Sequence, residues 1–192
     1  RNDFGQDVFS NKLATDEFWT SRMPDYSKIN VPLLSSANWG GQGLHPRGNF
    51  EGYERSASNQ KWLEVHGIEH WTEFYTDYGV GLQKKFFGHF LKGEDTGWKE
   101  QAPVLLQVRH VGEKFVERTE NEWPLARTQW TKFYLHTEDH NLDLNPPSAK
   151  GSVTYDALGD GVTFITAPFE AETELTGPMA AKLFVSSETE DA

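Results

Sequence analysis

The sequence predicts an α/β region followed by an all-β region, and three observations support this division. Residues 31–37 and 61–65 are short apolar runs of strand length. Between them, Phe50, Tyr53 and Ala57 recur at the spacing of one helix face. Beyond residue 102, short runs with alternating side chains replace the helical spacing. The first region therefore predicts two parallel strands joined by a crossover helix, and the second predicts a β-sandwich.

Both predicted parallel strands end in loops with functional potential. The first strand leads into a glycine-rich loop at residues 38–43, with the sequence NWGGQG. The second leads into residues 66–70, with the sequence HGIEH. In open α/β sheets, ligands bind beyond the carboxyl ends of the strands. We therefore expect these two loops to lie at one edge of the sheet and to carry the functional residues.

A second helix and a domain boundary follow these strands. Leu82, Phe86 and Phe90 recur at i and i+4, which predicts an amphipathic helix that ends at Gly93. Residues 94–102 are charged and rich in turn-forming residues. We place the boundary there, which predicts domains at residues 1–93 and 94–192.

Short strands are predicted throughout the second domain. The runs lie at residues 104–109, 115–118, 128–135, 152–156, 162–166 and 179–185. Residues 158–161, with the sequence LGDG, predict a hairpin turn between two of them. Short strands at regular spacing are typical of a β-sandwich.

Composition argues against several classes of function. The formal net charge is −11 and no run of Lys or Arg occurs, so we expect no nucleic-acid partner. The sequence contains no cysteine, which excludes a disulfide, a thiolate metal site and a cysteine nucleophile within it. No apolar stretch approaches the ~20 residues of a membrane span, so we expect no membrane partner. Composition identifies no cellular compartment.

Several motifs, taken in their order along the chain, resemble one family. They are Val31-Pro32 at a strand start, the turn at residues 38–41, the histidine loop at 66–70, and residues 82–93, 122–125 and 175–187. Together they resemble the X-Pro dipeptidyl-peptidase and cocaine-esterase family of α/β-hydrolases. The resemblance implies that residues 1–93 form the end of the lid and the C-terminal part of an α/β-hydrolase sheet, and that residues 94–192 begin a jelly-roll domain. It also implies a serine hydrolase that cleaves an ester or amide through an acyl-enzyme.

His70 is the candidate catalytic residue. It lies just beyond a predicted strand end, in a loop with several aromatic residues after it. A packed or surface histidine is the alternative on the residues alone. An α/β-hydrolase carries its histidine on a loop after a late strand, where the imidazole takes the serine proton and returns it to the leaving group. The resemblance therefore implies that His70 is this general base.

The acid of the expected triad is missing from its usual position. The family places an aspartate in the turn after the preceding strand, and Gly41 stands near that position here. The nearest acids in the sequence are Asp25, Glu51 and Glu69, and none fits the motif. Another acid, an acid from residues upstream of Arg1, or a departure from the triad all remain open.

The nucleophile is also expected elsewhere. The sequence has no G-x-S-x-G elbow, and Ser35 and Ser36 lie within a predicted strand, where a structural role is expected. The resemblance places the nucleophile and the oxyanion donors upstream of Arg1. We therefore expect the chain to be an internal piece of a longer protein, which cannot carry out acyl transfer alone.

Metal and phosphate binding are the remaining chemical alternatives. Residues 66–70 fit an H-x-x-E-H zinc pattern, but that pattern needs a helix, Gly67 interrupts it, and no third ligand follows. The glycines at 40, 41 and 43 lack the register of a phosphate-binding loop. His45 is expected to start the crossover helix rather than to form a site. We predict no metal ion and no cofactor.

Two classes of function stay open on the sequence. The first is part of a serine hydrolase, with a small ester or peptide as its substrate. The second is a non-catalytic binding or scaffolding piece, whose β-rich half binds a protein partner or a carbohydrate. In either case we expect the chain to associate with the remaining parts of its own polypeptide or in a homo-oligomer, because unpaired strand edges promote association.

Overall fold

A computed structural model describes residues 3–40 and 45–189. The chain divides into two compact units, Arg1–Glu122 and Trp123–Ala192. Two short helices, α1 (Phe4–Ser10) and α2 (Glu17–Thr20), and a 3-10 turn at Tyr26–Lys28 precede the sheet of the first unit. Among the described residues, no helix combines the length and apolar character that crossing a bilayer requires.

The first unit is built on the predicted parallel strands. Strand β1 (Leu33–Asn38) and strand β2 (Lys61–His66) pair in parallel from Leu33 opposite Lys61 to Asn38 opposite His66. Helix α3 (Pro46–Arg55) connects them, with Pro46 in its first turn, where the missing N–H costs nothing. The predicted strand–helix–strand unit is therefore confirmed. The helix is shorter than predicted, because Ser56 has extended backbone and leaves Ala57 outside it, exposed to solvent.

Two further helices follow β2. Helix α4 (His70–Tyr75) begins four residues after the last residue of β2, and α5 (Asp77–Lys92) begins two residues after the last residue of α4. Thr76 caps α5, since its hydroxyl accepts a hydrogen bond from the Gly79 N–H at 3.0 Å. Gly93 ends α5 in the left-handed conformation, as the sequence predicts for a glycine at that position.

The sheet extends beyond the parallel pair. Strand β3 (Val104–His110) follows a 3-10 turn at Trp98–Glu100 and pairs in parallel with β2. Strand β4 (Lys114–Glu120) pairs antiparallel with β3, which gives the order β1-β2-β3-β4. The sequence predicts both strands, but places them in the second domain. The structure describes them in the first compact unit.

One face of this sheet is covered by α5 through an aromatic cluster. We define the aromatic cluster as the buried Leu82, Phe86 and Trp98 with the partly buried Trp62 and Phe90. Trp98 is 1% exposed, and its ring lies 5.1 Å from those of both Trp62 and Phe86. Large rings at such edge-to-face separations bury much apolar area, so this cluster holds α5 on the sheet.

The second unit contains little regular structure among its described residues. Strands β5 (Tyr134–Leu135) and β6 (Leu142–Asp143) form an antiparallel pair, and Asn141 makes an isolated bridge to Ile165. The predicted strands at 128–133, 152–156, 162–166 and 179–185 are otherwise not formed, and the predicted hairpin at 158–161 is a turn without flanking strands.

These predictions were wrong because alternation describes side chains, whereas a strand also needs a neighbour for its backbone groups. Met179, Leu183 and Val185 share the predicted face but are 84%, 60% and 76% exposed. No buried face therefore fixes that segment as a strand. An α/β region followed by β structure is confirmed, and the jelly roll stays a prediction.

Candidate active site

The two loops beyond β1 and β2 are tied together at one edge of the sheet. The Trp39 N–H donates to the carbonyl of His66 at 3.0 Å. The Asn38 side-chain amide donates to the carbonyl of Ile68. Because Asn38 and His66 are in register, the parallel pairing itself brings these loops side by side.

His70 lies at this edge as the first residue of α4. Its side chain is partly exposed, and its ring centre lies 5.0 Å from that of His66 and 5.8 Å from that of His45. Burial lowers the pKa of His70, the nearby His66 and His45 lower it further, and Glu64 opposes them. A neutral imidazole at neutral pH is the form that can accept a proton.

A buried acid–imidazole pair lies behind His70. Glu64 and His66 are 1% and 2% exposed, and Glu64 Oε2 lies 3.0 Å from His66 Nδ1. Ser36 donates its hydroxyl hydrogen to the same oxygen at 2.5 Å. The other ring nitrogen, His66 Nε2, and the other carboxylate oxygen, Glu64 Oε1, have no hydrogen-bond partner among the described residues.

The pair belongs to a larger polar cluster, which we define as Ser36, Glu64, His66, Glu73 and Tyr78. Burial raises the pKa of Glu73, His66 lowers it by a smaller amount, and Glu64 raises it further. Burial also raises the pKa of Tyr78, and Glu64 is the largest charged contributor to that increase. Strand β2 contributes Glu64 and His66, β1 contributes Ser36, and α4 and α5 contribute Glu73 and Tyr78.

Gln107 on β3 makes hydrogen bonds to α4 and to the two loops beyond β1 and β2. Its amide donates to Glu73 Oε1 at 3.2 Å, and its side-chain oxygen accepts the Gly67 N–H at 2.9 Å. Its backbone carbonyl accepts the indole N–H of Trp39 at 2.8 Å. One residue therefore holds α4 and both loops. At Gly67 the Phe115 ring lies so close that a Cβ atom would overlap it.

The acids considered from the sequence are engaged elsewhere. Gly41, near the expected aspartate position, lies outside the described residues. Asp25 accepts hydrogen bonds from Ser27 and forms an ion pair with Lys28. Glu51 pairs with arginines on the solvent-facing side of α3. Glu69 occupies the N-cap position of α4 without a side-chain capping bond, and its carboxylate accepts a hydrogen bond from the Thr72 hydroxyl at 3.3 Å.

The other sequence candidates also have defined positions. Ser35 and Ser36 lie inside β1, where Ser35 donates to the carbonyl of Asn49 at 2.9 Å. His45 precedes α3, as predicted, although its ring also lies next to His70. His66 ends a strand and His70 begins a helix, so the continuous helix that the zinc pattern requires is not formed. Among the described residues, no group of three or more acids and histidines is placed to hold a metal ion.

Glu64 is the functional candidate that the sequence analysis missed. Glu64 lies in the middle of an apolar run, whereas the family places its catalytic acid in a turn. Strand alternation was the available signal, since residues two apart on a strand share a face. That rule places Glu64 beside His66 and opposite Leu63 and Val65, as the structure shows.

Comparison with known proteins gives consistent results. A profile for the X-Pro dipeptidyl-peptidase C-terminal non-catalytic domain matches residues 96–192. Two crystal structures of a CocE/NonD family hydrolase from Staphylococcus aureus are each 38% identical, with a TM-score of 0.70. Each match covers 75% of this chain and 26% of the solved chain. A search among curated proteins found no significant match.

The matched structures are those of a CocE/NonD family hydrolase. The chain belongs to the X-Pro dipeptidyl-peptidase and cocaine-esterase family, as its motifs predicted. It spans about a quarter of the length of the solved structures that it matches. His70 and the polar cluster lie before the matched non-catalytic domain. That match begins at residue 96, whereas the compact units divide after Glu122, so the domain boundary after residue 93 stays a prediction.

Proposed function

We propose that this chain contributes His70 as the general base of a serine hydrolase that cleaves an ester or amide through an acyl-enzyme. The observation that carries the proposal is the position of His70. It begins α4 four residues beyond the last residue of β2, at the carboxyl edge of a parallel pair, where catalysis in α/β sheets is concentrated. The family resemblance implies that the same residue is the catalytic histidine.

The chemistry requires a neutral imidazole that can become charged. In the proposed reaction, His70 takes the proton of a serine hydroxyl as its oxygen attacks the substrate carbonyl. His70 then returns that proton to the leaving group, and water repeats the cycle on the acyl-enzyme. The lowered pKa of His70 favours the neutral starting form at neutral pH.

The nucleophile and the oxyanion donors belong to residues upstream of Arg1 in this proposal. The substrate is a small ester or peptide. Trp71, Phe74 and Tyr75 project from α4 with 82%, 53% and 73% of their surfaces exposed. Next to His70, they offer an apolar surface for an acyl or leaving group.

A fluorophosphonate probe tests this proposal on the complete natural protein. We expect covalent labelling of one serine in a G-x-S-x-G sequence, mapped by peptide mass spectrometry, and strong loss of labelling in His70→Ala. The matched control is His89→Ala. It also removes a histidine, but His89 lies near the end of α5, where its ring contacts that of Phe90. Absence of labelling in a folded, complete protein would reject the hydrolase proposal.

The alternative is a non-catalytic binding or scaffolding role. This alternative is favoured by the match of residues 96–192 to a domain of the family that is described as non-catalytic. In that case the second unit would bind a protein partner or a carbohydrate. The same probe separates the two proposals, because a scaffolding protein would show no labelled serine while keeping its folded structure.

A further inference from the structure

We infer that the buried Glu64–His66 pair supplies the negative charge that the glycine-rich turn lacks, and that it stabilises His70 when His70 takes up a proton. This inference rests on the proposed function for its catalytic meaning. Glu64 and His66 are positioning residues here, since neither needs to touch the substrate. The charge of the pair and its distance from His70 carry the argument.

The hydrogen bonds define the charge of the pair. Glu64 Oε2 accepts from both Ser36 Oγ and His66 Nδ1, which is the environment of a carboxylate anion. A protonated His66 would also carry an N–H at Nε2, and no described group accepts a hydrogen bond there. The inference takes His66 as the neutral Nδ1–H tautomer that donates to Glu64, so that the pair as a whole carries one negative charge.

The pair is also close enough to act on His70. The His66 ring contacts Glu64 Oε2 through Nδ1, and its centre lies 5.0 Å from that of the His70 ring at an interplanar angle of 71°. Because Glu64 is 1% exposed, little water screens its charge. An aspartate in a catalytic triad stabilises the imidazolium by its negative charge, and the buried Glu64 charge acts on His70 in the same direction.

The surrounding groups determine the sign of the effect. Burial lowers the pKa of His70, positive charge on the neighbouring His66 of β2 or on His45, which precedes α3, lowers it further, and Glu64 raises it. Glu73 from α4 and Tyr78 from α5 interact electrostatically with Glu64, and Glu117 from β4 interacts with both of them. Removing the Glu64 charge leaves the effects that disfavour the imidazolium, so the pKa of His70 should fall further.

The test is the substitution Glu64→Gln in the complete natural protein. Histidine titration by 15N NMR should show the pKa of His70 falling by about one pH unit, the shift typical of a lost neighbouring opposite charge. The acid limb of kcat/KM should move to lower pH by the same amount, with kcat reduced about ten- to a hundred-fold. Glu64→Asp, which keeps the charge, should restore most of the pKa.

Glu51→Gln is the matched control. It also removes one carboxylate, but Glu51 pairs with arginines on α3 away from the polar cluster. The pKa of His70 should not change in this variant. Equal shifts in Glu64→Gln and Glu51→Gln would overturn the inference, because they would indicate a general charge effect.

Failure of this inference is distinguishable from failure of the proposed function. An unchanged pKa of His70 in Glu64→Gln overturns the inference, even if the protein labels with the fluorophosphonate probe. A protein without labelled serine, in which that pKa still falls, supports the electrostatic role and rejects the hydrolase proposal. If Glu64→Gln does not fold, the 15N spectrum of the unmodified protein is the test. A neutral Nδ1–H form of His66 supports the inference. A protonated His66 at neutral pH overturns it.

Discussion

Strand β2 carries two different kinds of side chain along the face that α5 covers. Trp62, near its start, packs into the aromatic cluster, whereas Glu64 and His66, near its end, belong to the polar cluster. Both clusters are packed against the same sheet, within the same unit. The difference is that apolar burial stabilises the fold, while burial of unpartnered polar atoms costs free energy.

This comparison separates a stabilising region from a functional one. Buried polar groups without partners are rare in folded proteins, and they concentrate where a site needs them. Glu64 Oε1 and His66 Nε2 are two such atoms, next to the candidate base His70. The Trp98 indole nitrogen also lacks a described partner, but the rest of that ring gains from apolar packing. We expect substitutions in the polar cluster to change turnover, and substitutions in the aromatic cluster to change stability.

The largest effect is expected for His70→Ala in the complete protein. Loss of the general base should lower kcat by about three to four orders of magnitude, as losses of triad residues do. KM should change little, because the imidazole acts mainly in the transition state. Steady-state kinetics at a matched folded fraction, judged by circular dichroism, measures this.

His66→Ala is the comparison for that prediction. It should destabilise the fold, because it leaves the Glu64 carboxylate buried without its imidazole partner. Its loss of turnover should be much smaller than that of His70→Ala. If His66→Ala abolishes turnover and His70→Ala does not, the general base has been assigned to the wrong histidine.

Trp98→Ala tests the aromatic cluster. Removing this 1%-exposed ring should lower the free energy of unfolding by about 3–5 kcal/mol, the usual cost of a large buried cavity. Turnover per folded molecule should stay near normal. Urea denaturation gives the stability, and Trp71→Ala is the control, because the 82%-exposed Trp71 should cost less than about 0.5 kcal/mol. Equal losses in both variants would contradict the assigned core.

Gly67→Ala should have an intermediate effect on stability. A methyl group there overlaps the Phe115 ring, and overpacking of this kind costs about 1–3 kcal/mol. Because Gly67 lies between His66 and His70, displacement of the loop should lower kcat as well. The double variant Gly67→Ala/Phe115→Ala should recover part of the loss in a double-mutant cycle. Strict additivity would show that the two residues are not in contact.

Thr76→Ala should give the smallest effect. It removes the hydroxyl that caps α5 at the Gly79 N–H, which costs about 1 kcal/mol. Thr72→Ala removes a hydroxyl from a 3.3 Å bond on the exposed surface and is the control. Thermal unfolding should rank Thr76→Ala below Thr72→Ala in stability, and the reverse order would contradict the cap.

The spacing of apolar residues predicted the elements of the first unit that bury one face. The βαβ unit and the stripe of α5 follow from spacing, and Gly93 marks the helix end because it adopts a positive φ. Helix α4 was not predicted, although Trp71, Phe74 and Tyr75 stand at i, i+3 and i+4, the spacing of one helix face; in the structure that face is exposed. The strands of the second unit were wrongly predicted, because alternation does not identify a pairing partner.

The candidate site was predictable in position but not in composition. His70 and the two loops follow from the rule that parallel strands end at a common edge. The partner of the site, Glu64, comes from the interior of a strand rather than from a turn. Its contact with His66 depends on strand alternation, and its contact with Ser36 depends on the register of β1 and β2. The contact with His66 could be predicted from the sequence, whereas the contact with Ser36 could not.

Gln107 limits where this protein can be recombined with relatives. It lies on β3, within the stretch matched by the non-catalytic domain profile, yet its side chain and carbonyl hold Glu73, Gly67 and Trp39 around the histidines. A chimaera with its crossover point at residue 96 would import a foreign β3 and exchange this glutamine for whatever the donor carries. A crossover after Glu122 keeps β3 and β4 native and leaves the loop supports intact.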